Sequence, residues 1–132
     1  MRMAGALKGI SVLIVEDDPD TLDLLFLGLG AVGATVQTAP SAEAALFLLR
    51  DWRPDVVLAD IQLPGADGFE FLEILRANPR LRMIPAVALS GVGAHSREDN
   101  PAQFEKYLRK PTKLPEIVIA LATLARRERV IP

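Results

Sequence analysis

The sequence lacks cysteine altogether and contains a single histidine, His95. Without cysteine the chain can form no disulfide framework and can perform no thiolate chemistry. With one imidazole it also cannot assemble the nitrogen- and sulfur-rich metal site that zinc prefers. A hard cation held by oxygen ligands is the metal chemistry that these absences leave open.

Long hydrophobic runs and an excess of one charge are missing as well. The longest apolar stretch, from Leu24 to about Ala34, is shorter than the roughly 20 residues of a membrane span. Lys8 interrupts the amino terminus, which therefore lacks the apolar core of a signal peptide. The formal net charge is −2 and the basic residues are scattered, so there is no electrostatic footprint for nucleic acid or anionic lipid. We expect a cytoplasmic protein that binds neither nucleic acid nor membrane.

What the sequence does contain is an alternation of short apolar runs with helical patterns. Half of the 132 residues are hydrophobic, which is enough for the core of one domain spanning 1–132. The predicted strands cover 10–15, 34–38, 55–59, 84–89 and 106–109, and the predicted helices cover about 19–31, 41–53, 67–77 and 114–127. This alternation is typical of a doubly wound α/β fold, a five-stranded parallel sheet of order 2-1-3-4-5 between two helical layers, flavodoxin-like.

The side chains that should fill this core include four phenylalanines. Phe47, Phe69, Phe71 and Phe104 are expected in or near the core, with Phe71 and Ile74 flanking the inward face of the third helix. Segment 91–102 is the weakest helix candidate, because glycines, Asn100 and Pro101 interrupt it. We expect a short or irregular helix there.

The first helix carries apolar residues beyond those that its core face needs. Leu22 and Phe26 lie four residues apart and are predicted to face outward, off the stripe formed by Leu25 and Leu29. An ordinary scatter of surface apolar groups is one interpretation. The alternative is a docking or self-association face, so that a homodimer could form through this helix or through the last one.

The stretch VVLADIQLPGADG, residues 56–68, has the strongest functional signal. An apolar run ends abruptly in Asp60 and is followed at once by turn residues, as in a buried strand that delivers one carboxylate to its carboxyl-terminal tip. Glu16 and Asp17 follow the first predicted strand in the same way. In the strand order 2-1-3-4-5 these acids meet at the switch point, where ligands of open α/β sheets bind.

Carboxylates brought this close need a proton or a cation between them. Two of them at ~4 Å repel by about 4 kcal/mol at an effective dielectric near 20. Protonation would require pKa values raised by about three units, which a polar cleft does not favour. Mg²⁺ is the better candidate, because it accepts one or two carboxylates, keeps water ligands and favours phosphate oxygens. Strands four and five end at Ser90 and Lys110, which add a hydroxyl and an ammonium to this acidic site. A site of this composition could accept a phosphoryl group.

These residues together resemble the receiver domains of two-component response regulators, over a core of about 7–125. The resemblance rests on VEDDP at 15–19, DIQLPGADG at 60–68, the hydroxyl of Ser90 at the end of strand four, and YLRKP at 107–111. It implies that Asp60 is the phosphoacceptor, charged by a phosphohistidine on a histidine kinase or histidine phosphotransfer protein. The chain would then pass a signal to an unidentified downstream protein, and would be an enzyme only toward itself, in its own phosphorylation and dephosphorylation.

The resemblance also implies roles for the residues around Asp60. Asp17 would ligate Mg²⁺ directly, Glu16 would act through water, and the main-chain carbonyl of Gln62 would supply a further ligand. Lys110 would pair with the phosphoryl group. The bond between Lys110 and Pro111 would be cis.

Two switch residues follow from the same resemblance. Ser90 would move to hydrogen-bond the phosphoryl group, and Tyr107 would turn inward with it. Plain packing is the other interpretation of Tyr107. Asp18 is more simply a helix cap than a ligand.

Three other functions compete with this interpretation. A haloacid dehalogenase-type phosphatase would need a second aspartate where Gln62 stands. A flavin or nucleotide binder would need a phosphate loop after the first strand, where Glu16 and its neighbours repel phosphate. The third alternative is a pseudo-receiver that binds partner proteins without phosphorylation. In either receiver interpretation the chain is a stand-alone receiver or part of a longer protein such as a hybrid kinase.

Overall fold

Five strands form one parallel sheet at the centre of the computed structural model, which describes residues 3–91 and 103–130, with side chains as far as residue 126. The strands are β1 (Ser11–Val15), β2 (Thr35–Ala39), β3 (Val56–Asp60), β4 (Ala86–Ser90) and β5 (Lys106–Arg109). Their order is β2-β1-β3-β4-β5, and each neighbouring pair is parallel. The predicted fold class and strand order are confirmed.

Side chains at the amino ends of the helices fix where they begin. The described helices are α1 (Pro19–Ala31), α2 (Ala42–Leu48), α3 (Gly68–Ala77) and α4 (Leu114–Val130). The Asp18 carboxylate accepts a hydrogen bond from the Thr21 amide at 3.0 Å, and the Ser41 hydroxyl accepts one from the Ala44 amide at 3.1 Å. Each cap satisfies an amide that the first helical turn leaves without a partner. None of these helices is both long and apolar enough to cross a membrane.

Alternate residues of the strands pack against two separate helical layers. Leu13 and Val15 lie in one buried cluster together with residues of α2 and α3. Val12 and Ile14 lie in a second cluster together with residues of α1 and α4. Because a slip of one residue would move these side chains to the opposite face, the two clusters fix the strand register that brings the strand tips together.

Three expectations about the helices and their core residues were wrong. Phe47 is 66% exposed rather than buried, and the Arg50 guanidinium lies over its ring at 5.6 Å from the centroid. α2 ends at Leu48, well before Pro54, and its buried residues are Ala42 and Ala45. Phe71 is fully buried rather than flanking, because it lies one helical turn before the buried Leu75.

The prediction for the first helix was half wrong. Phe26 is exposed as expected, but Leu22 packs partly against the core. Leu22 precedes the buried Leu25 and Leu29 by three and seven residues and therefore shares their face. The short or irregular helix expected at 91–102 cannot be compared, because residues 92–102, which include His95, lie outside the described residues.

Candidate functional site

Three carboxylates meet at the carboxyl ends of β1 and β3. Val15 pairs with Ala59, so the next residues, Glu16 and Asp60, leave neighbouring strands side by side. Both are buried, with 1% and 4% of their surface exposed, whereas Asp17 is exposed at the rim. One oxygen each of Glu16, Asp17 and Asp60 lies within 4.8 Å of the others. The predicted convergence of these acids is confirmed.

Lys110 places its ammonium directly against this cluster. Its Nζ lies 2.7 Å from Asp60 Oδ2 and 3.2 Å from Glu16 Oε1. The Lys110 amide donates to the Ser90 carbonyl at 2.8 Å, which brings the ends of β4 and β5 to the same edge of the sheet. The peptide bond between Lys110 and Pro111 is cis, as expected from the family resemblance.

The charges of the site do not cancel. Three carboxylates face one ammonium, which leaves about two negative charges uncompensated when all four groups are ionised. Burial raises the pKa of Glu16, and repulsion from Asp60 adds to this, although the Asp18 amide and Lys110 act in the opposite direction. Partial burial opposes the charge on Lys110, but hydrogen bonds and attraction from Asp60 and Glu16 outweigh it and raise the pKa of Lys110. Lys110 is therefore a fixed positive charge at neutral pH.

The turn after β3 orients the Asp60 carboxylate. The Gln62 amide donates to Asp60 Oδ1 at 2.9 Å, so the other oxygen faces Lys110. The chain then folds back, and the Gly68 amide donates to the Ile61 carbonyl at 2.8 Å. A Cβ at Gly68 would lie only 2.6 Å from the Asp60 carbonyl oxygen and 2.7 Å from Ile61 Cα, so this close approach requires glycine.

One residue near the site was not predicted from the sequence. Glu43, in the first turn of α2, accepts a hydrogen bond from the Ala66 amide at 3.3 Å and so ties α2 to the loop after Asp60. Hydrogen bonds from its own amide and from that of Ala66 lower the pKa of Glu43. No local sequence signal marks this contact, because the two residues are 23 positions apart.

Tyr107 lies in an aromatic cluster beside this edge. Its hydroxyl accepts a hydrogen bond from the Phe104 amide at 3.2 Å, and its ring centroid lies 5.7 Å from that of Phe104 and 6.5 Å from that of Phe69. Phe69 directly follows Gly68, so the cluster adjoins the loop beyond Asp60. Ser90 is half-buried at the end of β4. The switch roles of Ser90 and Tyr107, and the Gln62 carbonyl as a ligand, stay predictions.

The donor set suits a hard divalent cation. All three convergent groups are carboxylates, and no described histidine competes with them. Oxygen donors with excess negative charge and an open rim at Asp17 match the preference of Mg²⁺ for a few carboxylates plus water. Glu16, Asp17 and Asp60 could therefore bind a metal ion.

The fold and the acidic site together define a flavodoxin-like α/β protein with a potential cation site at its switch point. Residues 12–122 match the family model of the response regulator receiver domain, and the chain therefore belongs to that family. The fold, the acidic site and the family match thus agree.

Relatives of similar size support this assignment. The uncharacterized 14.6 kDa protein in the sodA1 3′ region of Leptolyngbya boryana is 38% identical over 117 residues, covering 85% of this chain and 87% of the relative. The polar-differentiation response regulator DivK of Brucella anthropi is 36% identical over 111 residues, covering 82% and 89%. Other relatives are longer: the chain spans 50% of the Mycobacterium tuberculosis transcriptional regulatory protein TcrA, at 35% identity over 131 residues.

A solved structure extends the comparison to the site. The receiver domain of the sensor histidine kinase PA1611 from Pseudomonas aeruginosa superimposes with a TM-score of 0.81 and 28% identity, covering 89% of this chain and 98% of that one. That domain has a magnesium ion coordinated in its active site cleft.

Proposed function

We propose that Asp60 accepts a phosphoryl group from a phosphohistidine of a partner histidine kinase or phosphotransfer protein. An Asp60 carboxylate oxygen forms a bond to phosphorus, the phosphorus–nitrogen bond of the phosphohistidine breaks, and the imidazole takes up a proton. The chain acts only on itself, in gaining and losing this group. The partner assignment rests on membership of the receiver family.

The observation that carries the proposal is the 2.7 Å contact between Lys110 Nζ and Asp60 Oδ2 inside the acid cluster. A buried carboxylate is poorly placed as a nucleophile unless a positive charge offsets the charge of the incoming group. Lys110 is such a charge, and it stays protonated at neutral pH because of its two acidic neighbours. It can hold a phosphoryl oxygen as the bond to Asp60 forms.

Mg²⁺ is the cofactor of the proposal. Glu16, Asp17 and Asp60 would hold the ion, with the main-chain carbonyl of Gln62 as a further ligand. When bound, Mg²⁺ supplies positive charge that neutralises the phosphoryl oxygens. The magnesium ion in the cleft of the PA1611 receiver domain supports this choice of metal.

The output of the switch would arise from Ser90 and Tyr107. The Ser90 hydroxyl would hydrogen-bond the phosphoryl group, and the Tyr107 ring would change its packing with it. Inverting a 1:99 population requires about 5.5 kcal/mol of differential interaction. Two charge-assisted hydrogen bonds, at about 1.5–3 kcal/mol each, supply most of that amount.

The test is intact mass after incubation with Mg²⁺ and a small phosphodonor such as acetyl phosphate. The wild-type protein is expected to gain one phosphoryl group, and the Asp60→Asn variant none. Asp51→Asn, which changes an exposed aspartate outside the cluster, serves as the matched control and should be modified like the wild type. A wild-type protein that stays unmodified, or a modified Asp60→Asn variant, would overturn the proposal and favour a binding module without phosphorylation.

A further inference from the structure

The loop from β3 to α3 is held to the rest of the molecule by few hydrogen bonds. Within the described part of the chain, the main chain of residues 62–66 forms two, one at each end of this segment. The Gln62 amide donates to Asp60 Oδ1 at 2.9 Å, and the Ala66 amide donates to Glu43 Oε1 at 3.3 Å. One end of the loop is thus tied to the proposed phosphoacceptor and the other end to helix α2.

Side-chain packing does not replace these two hydrogen bonds. Gln62, Pro64 and Gly65 are exposed, and Leu63 is the one buried residue of the segment 62–66. Burial of an apolar side chain is non-directional, so it holds Leu63 in the core without fixing how the neighbouring peptide groups are turned. The direction of the Gln62 amide therefore depends on the hydrogen bonds at the two ends of the segment.

Glu43 is well placed to act as a fixed acceptor for the loop. It lies in the first turn of α2, where the helix main chain offers free amides. Hydrogen bonds from its own amide and from that of Ala66 lower the pKa of Glu43, so the carboxylate is ionised at neutral pH. Ala42 and Ala45 on the same helix are buried in the core cluster that also contains Leu63. The helix that carries Glu43 and the middle of the loop thus share one anchor.

The loop approaches Glu43 closely at a second residue. Gly65 has a φ of +73°, in the left-handed region that glycine adopts without steric cost. A Cβ at Gly65 would lie 3.1 Å from Glu43 Oε1, so a larger residue there would press against the carboxylate. Glu43 therefore lies against two consecutive residues, Gly65 and Ala66, and defines the path of the loop at this end.

We propose that Glu43 is a positioning residue for Asp60. By holding residues 65 and 66 in place, it keeps the Gln62 amide where that amide orients the Asp60 carboxylate and leaves Oδ2 to Lys110. Glu43 acts through the loop, because it is not a member of the carboxylate cluster. The consequence for Mg²⁺ binding and phosphorylation rests on the proposed function, whereas the positioning of Gln62 is a property of the metal-free protein.

Amide hydrogen exchange tests the positioning directly, measured by NMR on the whole unphosphorylated chain in EDTA. In Glu43→Ala the Gln62 amide is expected to exchange about 3–10-fold faster, because one of the two hydrogen bonds of the segment is lost. The Leu58 amide within β3 should change less than about twofold, which would show that the fold as a whole is not destabilised. Glu43→Gln keeps an acceptor oxygen and should restore Gln62 exchange to within about twofold of the wild type. Glu73→Ala, at an exposed carboxylate of α3, is the matched control and should leave this exchange unchanged.

Calorimetric titration with Mg²⁺ extends the test to the site. Glu43→Ala should weaken Mg²⁺ binding by about 10-fold, as the loss of a group that orients metal ligands commonly does, and Glu43→Gln should recover it to within about threefold of the wild type. Unchanged exchange at Gln62 in Glu43→Ala would overturn the inference. Equal losses in Glu43→Ala and Glu43→Gln would overturn it too, because the effect would then arise from the charge of Glu43 and not from its hydrogen bond to the loop. Neither measurement requires phosphorylation, so a wild-type protein that is not phosphorylated would count against the proposed function alone.

Discussion

Lys110 Nζ and Asp60 Oδ2 lie 2.7 Å apart, although 50 residues separate them in the sequence. Asp60 ends β3 and Lys110 follows β5, so the contact spans β4 at the carboxyl edge of the sheet. Lys110 Nζ also contacts Glu16 Oε1 at 3.2 Å, but one ammonium leaves about two of the three negative charges of the cluster uncompensated. Lysine and a divalent cation should therefore contribute separately to the chemistry of Asp60.

Replacing the lysine should separate these two contributions. In Lys110→Met, phosphorylation by acetyl phosphate is expected to slow by about 10²–10³-fold, because a positive charge aimed at the phosphoryl oxygens is lost. Mg²⁺ should bind at least as tightly as before, since the cluster becomes more negative. Calorimetric titration with Mg²⁺ and rates from intact mass measure the two effects. The control is Lys106→Met, at an exposed lysine, which should change neither the phosphorylation rate nor the Mg²⁺ affinity. If Lys110→Met lowered the Mg²⁺ affinity and the rate together, the two contributions would not be separate.

Neutralising Asp60 should stabilise the metal-free protein. Asp60→Asn removes one of three crowded carboxylates and should raise the free energy of unfolding in EDTA by about 1 kcal/mol at pH 7. Added Mg²⁺ should raise the unfolding free energy of the wild type more than that of the variant, because it binds the folded state. Urea unfolding with and without Mg²⁺ is the measurement, and Glu73→Gln on the exposed side of α3 is the control. Destabilisation of metal-free Asp60→Asn would show that the attraction of Asp60 to Lys110 outweighs its repulsion from the other two carboxylates.

The hydrogen bonds at the Asp18 cap predict how the free energy of unfolding depends on pH. Hydrogen bonds from the Thr21 hydroxyl and amide lower the pKa of Asp18 below its ordinary value of 3.8. A carboxyl whose pKa is lowered by folding adds stability above its unfolded pKa, and this stability is lost as the pH falls through the folded value. Asp18→Ala should therefore destabilise the protein at pH 7 and progressively less as the pH drops below about 4.

The Asp18→Asn variant separates the contribution of the capping hydrogen bond to stability from the contribution of the Asp18 charge. The amide oxygen still accepts from Thr21, so this variant should keep more stability at pH 7 than Asp18→Ala and should lose the acid-dependent part. Urea unfolding at a series of pH values compares the three proteins. If the difference in unfolding free energy between the wild type and Asp18→Ala stayed constant with pH, the stabilising role of the Asp18 charge would be refuted.

Two glycines should respond in opposite directions to alanine. Gly68→Ala places a methyl group against the main chain of Asp60 and Ile61, which cannot move aside as a flexible side chain could. We expect a loss of about 1–3 kcal/mol in unfolding free energy and weaker Mg²⁺ binding. In Gly30→Ala the added methyl group meets open space within α1, and the unfolding free energy should rise by about 0.5–1 kcal/mol. Equal effects of the two variants, measured by urea unfolding, would show that the close approach at Gly68 is unimportant.

The sequence was sufficient for the sheet and for the acid cluster because both depend on local patterns. A buried parallel strand is a continuous apolar run, and the residue that ends the run lies at the edge of the sheet. The positions of Asp60 and Lys110 follow from this rule and from the strand order. The helix caps Asp18 and Ser41 are local signals of the same kind.

The errors concern side-chain direction and contacts between distant elements. Phe47 is hydrophobic, which predicts a core position, but it follows the buried Ala45 by two residues and therefore lies on the opposite face of α2. Leu22 is predicted to face outward, although its spacing from Leu25 puts it on the buried face. The contact of Glu43 with Ala66 could not be predicted, because it depends on how α2 packs beside a loop 23 residues away.

The separation of Glu16 from Lys110 by 94 residues has a consequence for biosynthesis. The ribosome releases all three carboxylates well before it releases the lysine that partners them. A nascent chain that ends before residue 110 holds the acids without their ammonium group and without a docked fifth strand. Under the proposed function, Asp60 would thus be able to accept a phosphoryl group only once residue 110 has left the ribosome.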